Sequence, residues 1–282
     1  MSRLSERDRH LLNAIEETYP DIDNWSARGA ELETPTVGSS LAADDRIWPH
    51  HPPSELARQS MISATDHLKM ARAAIEARKV FPSAHATVLR GALVGSAQAY
   101  WLLAESKRGE RQQRSLLVLE EFYKRRLQYD KHLPFIGAPA DALAELDEQS
   151  EHMQSRLKGV RLLKADPKRS LIQTEYIEWS LDKIFFNRSD ARNDGRLLWR
   201  LMSGDAHALG WTIAIRAKEW TPSEDSDFAI GATPGDLDDI AQPFVCSHTI
   251  LKAAWRSYDL RREPPRTLAD PPTPVQWAGP CS

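Results

Sequence analysis

The sequence has little cysteine: only Cys246 and Cys281 occur among its 282 residues. A scaffold that relies on disulfide bonds is therefore not expected, and so few thiols fit a reducing compartment such as the cytoplasm. No apolar run approaches the ~18 residues of a membrane-spanning helix. The first residues, MSRLSERDRHLL, carry too many charges for a secretory signal. We therefore expect a cytoplasmic protein that makes no membrane contact.

The common sequence signatures of catalysis are also missing. The chain has no G-x-x-x-x-G-K-[ST] or G-x-G-x-x-G loop for phosphate and no G-x-S-x-G nucleophile turn. C-x-x-C and H-E-x-x-H are absent, which argues against common zinc sites. None of the nine histidines follows a Glu or Asp by three residues, so a ferritin-like di-iron centre is not expected. The sequence predicts neither a metal nor a cofactor.

The composition is that of an ordinary globular protein, with 41% hydrophobic and 27% charged residues. A formal net charge of −3 gives no indication of general nucleic-acid affinity, although a local basic face remains compatible with it. Nine tryptophans are many for this length, and most are expected to anchor the core between helices.

Hydrophobic periodicity predicts an all-α fold, a bundle of about seven helices, and shows no period-2 strand. Residues 1–53 are predicted to form an N-terminal helix and an irregular, proline-containing arm, and residues 221–235 a loop. Residues 54–262 form the predicted bundle domain, with a kink or break at Pro243, and residues 263–282 a flexible, proline-rich tail. The predicted bundle helices cover 54–79, 83–107, 110–131, 139–164, 169–186, 192–219 and 234–262.

The stretch from Arg192 to Glu219 is predicted to form one long, largely buried helix at the centre of the bundle. Arg200, Ser203 and His207 fall at i, i+3 and i+7 and therefore line one face of it. Histidine titrates near neutral pH and suits acid–base chemistry, while the planar guanidinium of arginine matches phosphate oxygens. These three residues are the predicted catalytic set: His207 as the acid–base group, Arg200 as the phosphate ligand and Ser203 as an orienting hydroxyl.

Three residues of the first two predicted bundle helices, 54–79 and 83–107, are predicted to support the catalytic set: Asp66, Arg90 and Gln98. Arg90 is the only internal charge of its Ala-rich helix before Glu105, so a buried partner is expected for it.

The spacing Arg200-x6-His207 resembles the R-x4–6-H motif of HEPN-type ribonucleases, an all-helical family. The order of several motifs along roughly residues 54–220 also resembles that of bacterial helical proteins related to HEPN-like and abortive-infection families. It consists of Asp66-His67, then Arg90 before an Ala-rich helix that ends in YWLL, then Ser203-x-x-x-His207. The resemblance implies a helical bundle, a homodimer with its site at the interface, and metal-independent RNA cleavage in a defence or stress system.

A second hypothesis needs no catalysis. The polar stripe can instead be structural, with its side chains satisfied by neighbouring helices through Asp66, Arg90, Gln98 or Asp205. The chain is then a non-enzymatic interaction or assembly protein whose partner is another protein or a second copy. A small ligand bound between the helices, among the tryptophans, is a third possibility.

Overall fold

The computed structural model describes residues 5–133, 137, 139–217, 219–222, 229–232 and 235–265. Within them the chain is all-α, as the periodicity predicts, with eleven helices and one short antiparallel hairpin. The helices are α1 (Glu6–Glu16), α2 (Tyr19–Gly29), α3 (Ser40–Asp45), α4 (Pro53–Glu76), α5 (Pro82–Ala104), α6 (Arg108–Asp130), α7 (Ala140–Leu163), α8 (Gln173–Ile184), α9 (Ser189–Ala206), α10 (Trp211–Arg216) and α11 (Asp238–Arg262). The strands are β1 (Glu219–Pro222) and β2 (Ala229–Ala232).

Helix α5 is the centre of the fold and packs against α4, α11, α9 and α8. Its small residues allow these neighbours to come close, as its sequence predicts. A Cβ added to Gly95 would lie only 2.7 Å from the carbonyl oxygen of Ser60 in α4, so glycine is required at this crossing. The α5 side chains buried around this contact include Leu89, Ala92, Leu93, Ala97 and Ala99.

The arm between residues 20 and 53, expected to be irregular, contains the helices α2 and α3. Pro20 lies in the first turn of α2, where the fixed φ of proline favours helix initiation and no hydrogen bond is lost. Ser39 caps α3 by accepting a backbone N–H from its first turn. Trp25 and Trp48 are buried in the same hydrophobic core as the bundle helices and so attach the arm to the bundle.

Helix α7 lies on the outside of the bundle and packs mainly against α6. Glu120 of α6 accepts hydrogen bonds from Lys164 at 2.5 Å and from Arg161 at 3.0 Å, which fixes the C-terminal end of α7. A Cβ added to Gly159 would lie 2.7 Å from the indole ring of Trp48, so α7 also approaches the N-terminal arm.

Two further expectations need correction. The predicted loop at residues 221–235 contains part of a hairpin in which β1 pairs with β2 and Trp220 lies opposite Gly231. Pro243 lies inside α11, and the helix continues through it, so no break occurs there. The predicted tail falls outside the described residues from position 266 onward. None of the helices described has the length and apolar character required to cross a membrane.

Candidate functional site

The predicted central helix is interrupted: α9 ends at Ala206 and the short helix α10 begins at Trp211. Between them, the N–H of Leu209 donates to the carbonyl of Gly204 at 2.8 Å. The N–H of Ala208 donates to the carbonyl of Asp205 at 2.9 Å. This pair of hydrogen bonds is a Schellman motif, which ends a helix.

Ala208 occupies the left-handed position of that motif, with φ of +54°. Glycine is the usual residue there, because it has no Cβ to oppose a positive φ. In this chain the nearest glycine is Gly210, two positions too late, so the sequence gives no signal for the turn. The prediction of one continuous helix over residues 192–219 was therefore wrong.

The prediction that this stretch is largely buried was also wrong. Only Gly195, Trp199, Met202 and Gly204 of α9 are buried, and on α10 only Thr212. Leucine and isoleucine side chains that the periodicity placed in the core instead face solvent, because α9 packs on α5 through one side and α10 turns back over its end.

The three predicted catalytic residues differ in their environments. Arg200 is exposed on the outward side of α9, and His207 is exposed as the residue that follows its last turn. Ser203 is half-buried, and its hydroxyl receives a hydrogen bond from Nε of Arg90 at 3.3 Å. The helix therefore presents Arg200 and His207 to solvent, while Ser203 faces α5.

Arg90 has the partners that its place in an Ala-rich helix predicts. Besides Ser203, its guanidinium donates to Oε1 of Gln173 in α8 at 2.9 Å and lies 4.9 Å from the centre of the Trp199 ring. One arginine thus joins α5, α8 and α9 through a charged hydrogen bond and a cation–π contact. Its role in the structure is to hold α9 in place.

The other two predicted supporting residues make contacts elsewhere. Gln98 donates to the hydroxyl of Ser60 in α4 at 2.8 Å. Asp66 is exposed on α4, where it lines a surface depression together with Trp25 and Lys69. Of the three, only Arg90 is hydrogen-bonded to the predicted catalytic set.

A buried ion pair that the sequence does not signal holds α10 on α9. Both terminal nitrogens of Arg216 donate to the carboxylate of Asp205, at 2.7 and 2.5 Å, and the Thr212 hydroxyl donates to the same carboxylate at 3.0 Å. The hydrogen bond to Asp205 raises the pKa of Arg216 above its ordinary value. Such a bidentate pair fixes the direction of a short helix that could not hold its shape alone.

A groove of about 430 Å³ opens between α9 and α10 and reaches the start of α11. Asp194 and Arg200 of α9 line it, together with Gln242 of α11. Its remaining walls are apolar and consist of Leu197, Leu198 and Leu201 from α9 and Trp211 and Ile215 from α10. We call this feature the α9–α10 groove.

No group of three or more His, Cys, Asp or Glu side chains that could hold a metal ion is present in the part of the chain that the structure describes. Comparison with protein-family models, with curated proteins and with solved structures finds no match.

Proposed function

We propose that this protein is a non-enzymatic assembly protein that associates with a second copy of itself through the α9–α10 groove. The observation that carries the proposal is the exposure of large apolar side chains on two helices that are rigidly joined. Leu197 is 66% exposed, Trp211 44% and Ile215 67%. Contiguous apolar surface of this kind marks sites of protein contact.

The charged side chains that line the α9–α10 groove indicate that its binding partner is a second copy of the chain. Asp194 and Arg200 line the same groove, and neither has a hydrogen-bond or ion-pair partner within the described residues. A surface that carries an unpaired carboxylate and an unpaired guanidinium beside apolar side chains is complementary to another copy of itself. Self-complementary surfaces of this kind form isologous dimers.

The test is the molar mass in solution as a function of concentration. The proposal expects sedimentation velocity to give twice the 31.9 kDa of one chain at micromolar concentrations. Leu197→Glu places a charge in the groove and should raise the dissociation constant by about tenfold or more, as expected for a central interface residue. A wild-type protein that stays monomeric up to concentrations on the order of 100 μM refutes the proposal.

Leu260→Glu is the matched control, because Leu260 is a similarly exposed leucine, at 71%, on a different helix. It introduces the same charge and should leave the dissociation constant unchanged. An equal loss of association in both variants would show that the effect comes from net charge and that the α9–α10 groove is not the interface.

Metal-independent RNA cleavage of an HEPN-like kind, in a defence or stress system, is the second candidate function. The exposure of both Arg200 and His207 favours it, since RNA can then reach the acid–base group and the cation. The scarcity of cysteine supports a cytoplasmic location for either function.

Wild type and His207→Ala, incubated with a mixed RNA panel in EDTA, separate the two functions. Cleavage by wild type that disappears in the variant establishes the ribonuclease. Intact RNA with both proteins, in a preparation that forms dimers, leaves assembly as the function.

A further inference from the structure

We infer that the two copies associate with their α9 helices antiparallel, about a two-fold axis that passes beside Leu197. The inference rests on the proposed self-association and specifies its geometry. Leu197 lies three residues after Asp194 and three before Arg200, and all three line the α9–α10 groove. When two such helices are paired antiparallel about Leu197, Asp194 of each copy faces Arg200 of the other.

The charge on the outward side of α9 changes from negative to positive along the helix. Its first turns present the exposed carboxylates of Asp190 and Asp194, whereas the exposed guanidinium of Arg200 lies toward its C-terminal end. A parallel pair would place like charges opposite each other, which is destabilising. An antiparallel pair places opposite charges together at both ends and also opposes the two helix dipoles.

The shape of the surface favours the same arrangement. The C-terminal end of α9 is covered by its own α10, because Trp211 and Thr212 lie against Gly204. The N-terminal half has no such cover, and Asp190, Asn193 and Asp194 are exposed there. Antiparallel pairing brings the α10 of each copy over the uncovered half of the other α9, so the apolar side chains of α10 leave solvent.

Charge reversal tests the pairing. Asp194→Arg puts two guanidinium groups at each contact, and Arg200→Asp puts two carboxylates there, so each variant should raise the dissociation constant by about tenfold or more. The double variant Asp194→Arg/Arg200→Asp restores opposite charges and should return the constant to within about threefold of wild type. Both positions are exposed, so far-ultraviolet circular dichroism should be unchanged.

Mixing the two single variants gives a sharper readout. Neither variant should dimerise well alone, but a mixed dimer has an opposite-charge pair at both contacts. An equimolar mixture should therefore form heterodimers, which native mass spectrometry distinguishes by mass. The single variants alone exclude a parallel arrangement. In that arrangement each position faces its own counterpart, so each variant keeps like-charge pairs as the wild type does, and its dissociation constant should not rise.

The axis itself can be tested with a disulfide. Leu197→Cys in a Cys281→Ser background should cross-link rapidly on mild oxidation, because a residue beside a two-fold axis lies close to its own copy. Asn193→Cys in the same background is the control and should cross-link slowly.

The outcomes separate this inference from the function on which it rests. A wild-type dimer that Leu197→Glu dissociates, but in which charge reversal is not rescued and the mixture forms no heterodimer, overturns the antiparallel geometry and leaves self-association standing. A monomeric wild type overturns both.

Discussion

The carboxylate of Asp205, the penultimate residue of α9, accepts hydrogen bonds from both terminal nitrogens of Arg216 at the end of α10. The two side chains are 1% and 5% exposed, so the pair is removed from water. This contact determines where Trp211 and Ile215 stand, and therefore the shape of the α9–α10 groove.

Removing one member of this pair should be costly. Asp205→Ala leaves the buried guanidinium of Arg216 without its acceptor, and we expect a loss of about 3–5 kcal/mol in the free energy of unfolding. Denaturant titration gives the magnitude, and hydrogen exchange should show α10 as the first region to lose protection. Asp182→Ala is the control, because its ion pair with Arg196 is partly exposed and should contribute no more than about 1 kcal/mol. Equal losses in the two variants would contradict the assignment.

Ala208→Gly should stabilise the protein, which is unusual for a change to glycine. The positive φ of Ala208 opposes its Cβ, and glycine relieves this at some cost in unfolded-state entropy, for a net gain of roughly 0.5–1 kcal/mol. Thermal unfolding would report it as a higher Tm. Ala73→Gly, at an exposed position within α4, should instead destabilise by about 1 kcal/mol. A lower Tm for both variants would show that the turn after α9 is not strained.

Gly95→Ala should disturb the crossing of α4 and α5. The added methyl group would meet the carbonyl oxygen of Ser60, which is backbone and can move only if the helices separate. We expect a loss of about 1–3 kcal/mol in unfolding free energy. Gly109→Ala supplies the contrast, since its Cβ would meet nothing within 4 Å and the change should be neutral or stabilising.

The attachment of α7 should weaken in acid. Burial alone would raise the pKa of Glu120, but hydrogen bonds from Lys164, Lys124 and Arg161 outweigh it and lower the pKa to about 2. Because the folded-state pKa lies below that of the unfolded chain, the stabilisation is fully present above the unfolded value of about 4.5 and is lost as the pH falls toward 2. Urea titrations across this range should show stability falling, and Glu120→Gln should remove that part of the slope. An unchanged slope in the variant would assign the acid sensitivity to other carboxylates.

Much of the fold could be predicted from the sequence, since helices α4 to α8 fall within a few residues of their predicted limits. Their periods are long and their ends are marked by Pro82, Gly109 and Pro139. Helix α2 of the arm was not predicted because proline is common in irregular segments, whereas Pro20 lies in the first turn of α2, where it favours helix initiation.

The candidate site was predictable only in part. Arg200 and His207 are both exposed, but His207 follows the end of α9, and Ser203, predicted on the same face, instead accepts a hydrogen bond from Arg90 of α5. Periodicity identifies which residues share a face of a helix and does not identify what covers that face. Asp205 and Arg216 meet only because Ala208 reverses the chain, and no residue preference marks that reversal.

Trp48 has a consequence for any shortened form of the protein. Its indole donates to the hydroxyl of Tyr123 at 3.0 Å and lies against Gly159 of α7. The N-terminal arm therefore forms part of the surface on which α7 packs, although the two segments are far apart in sequence. Contacts of such long sequence separation cost loop-closure entropy, which tends to slow folding. Truncation before Pro53 would therefore leave α7 with an incomplete surface to pack on, and the arm is a structural part of the outer layer.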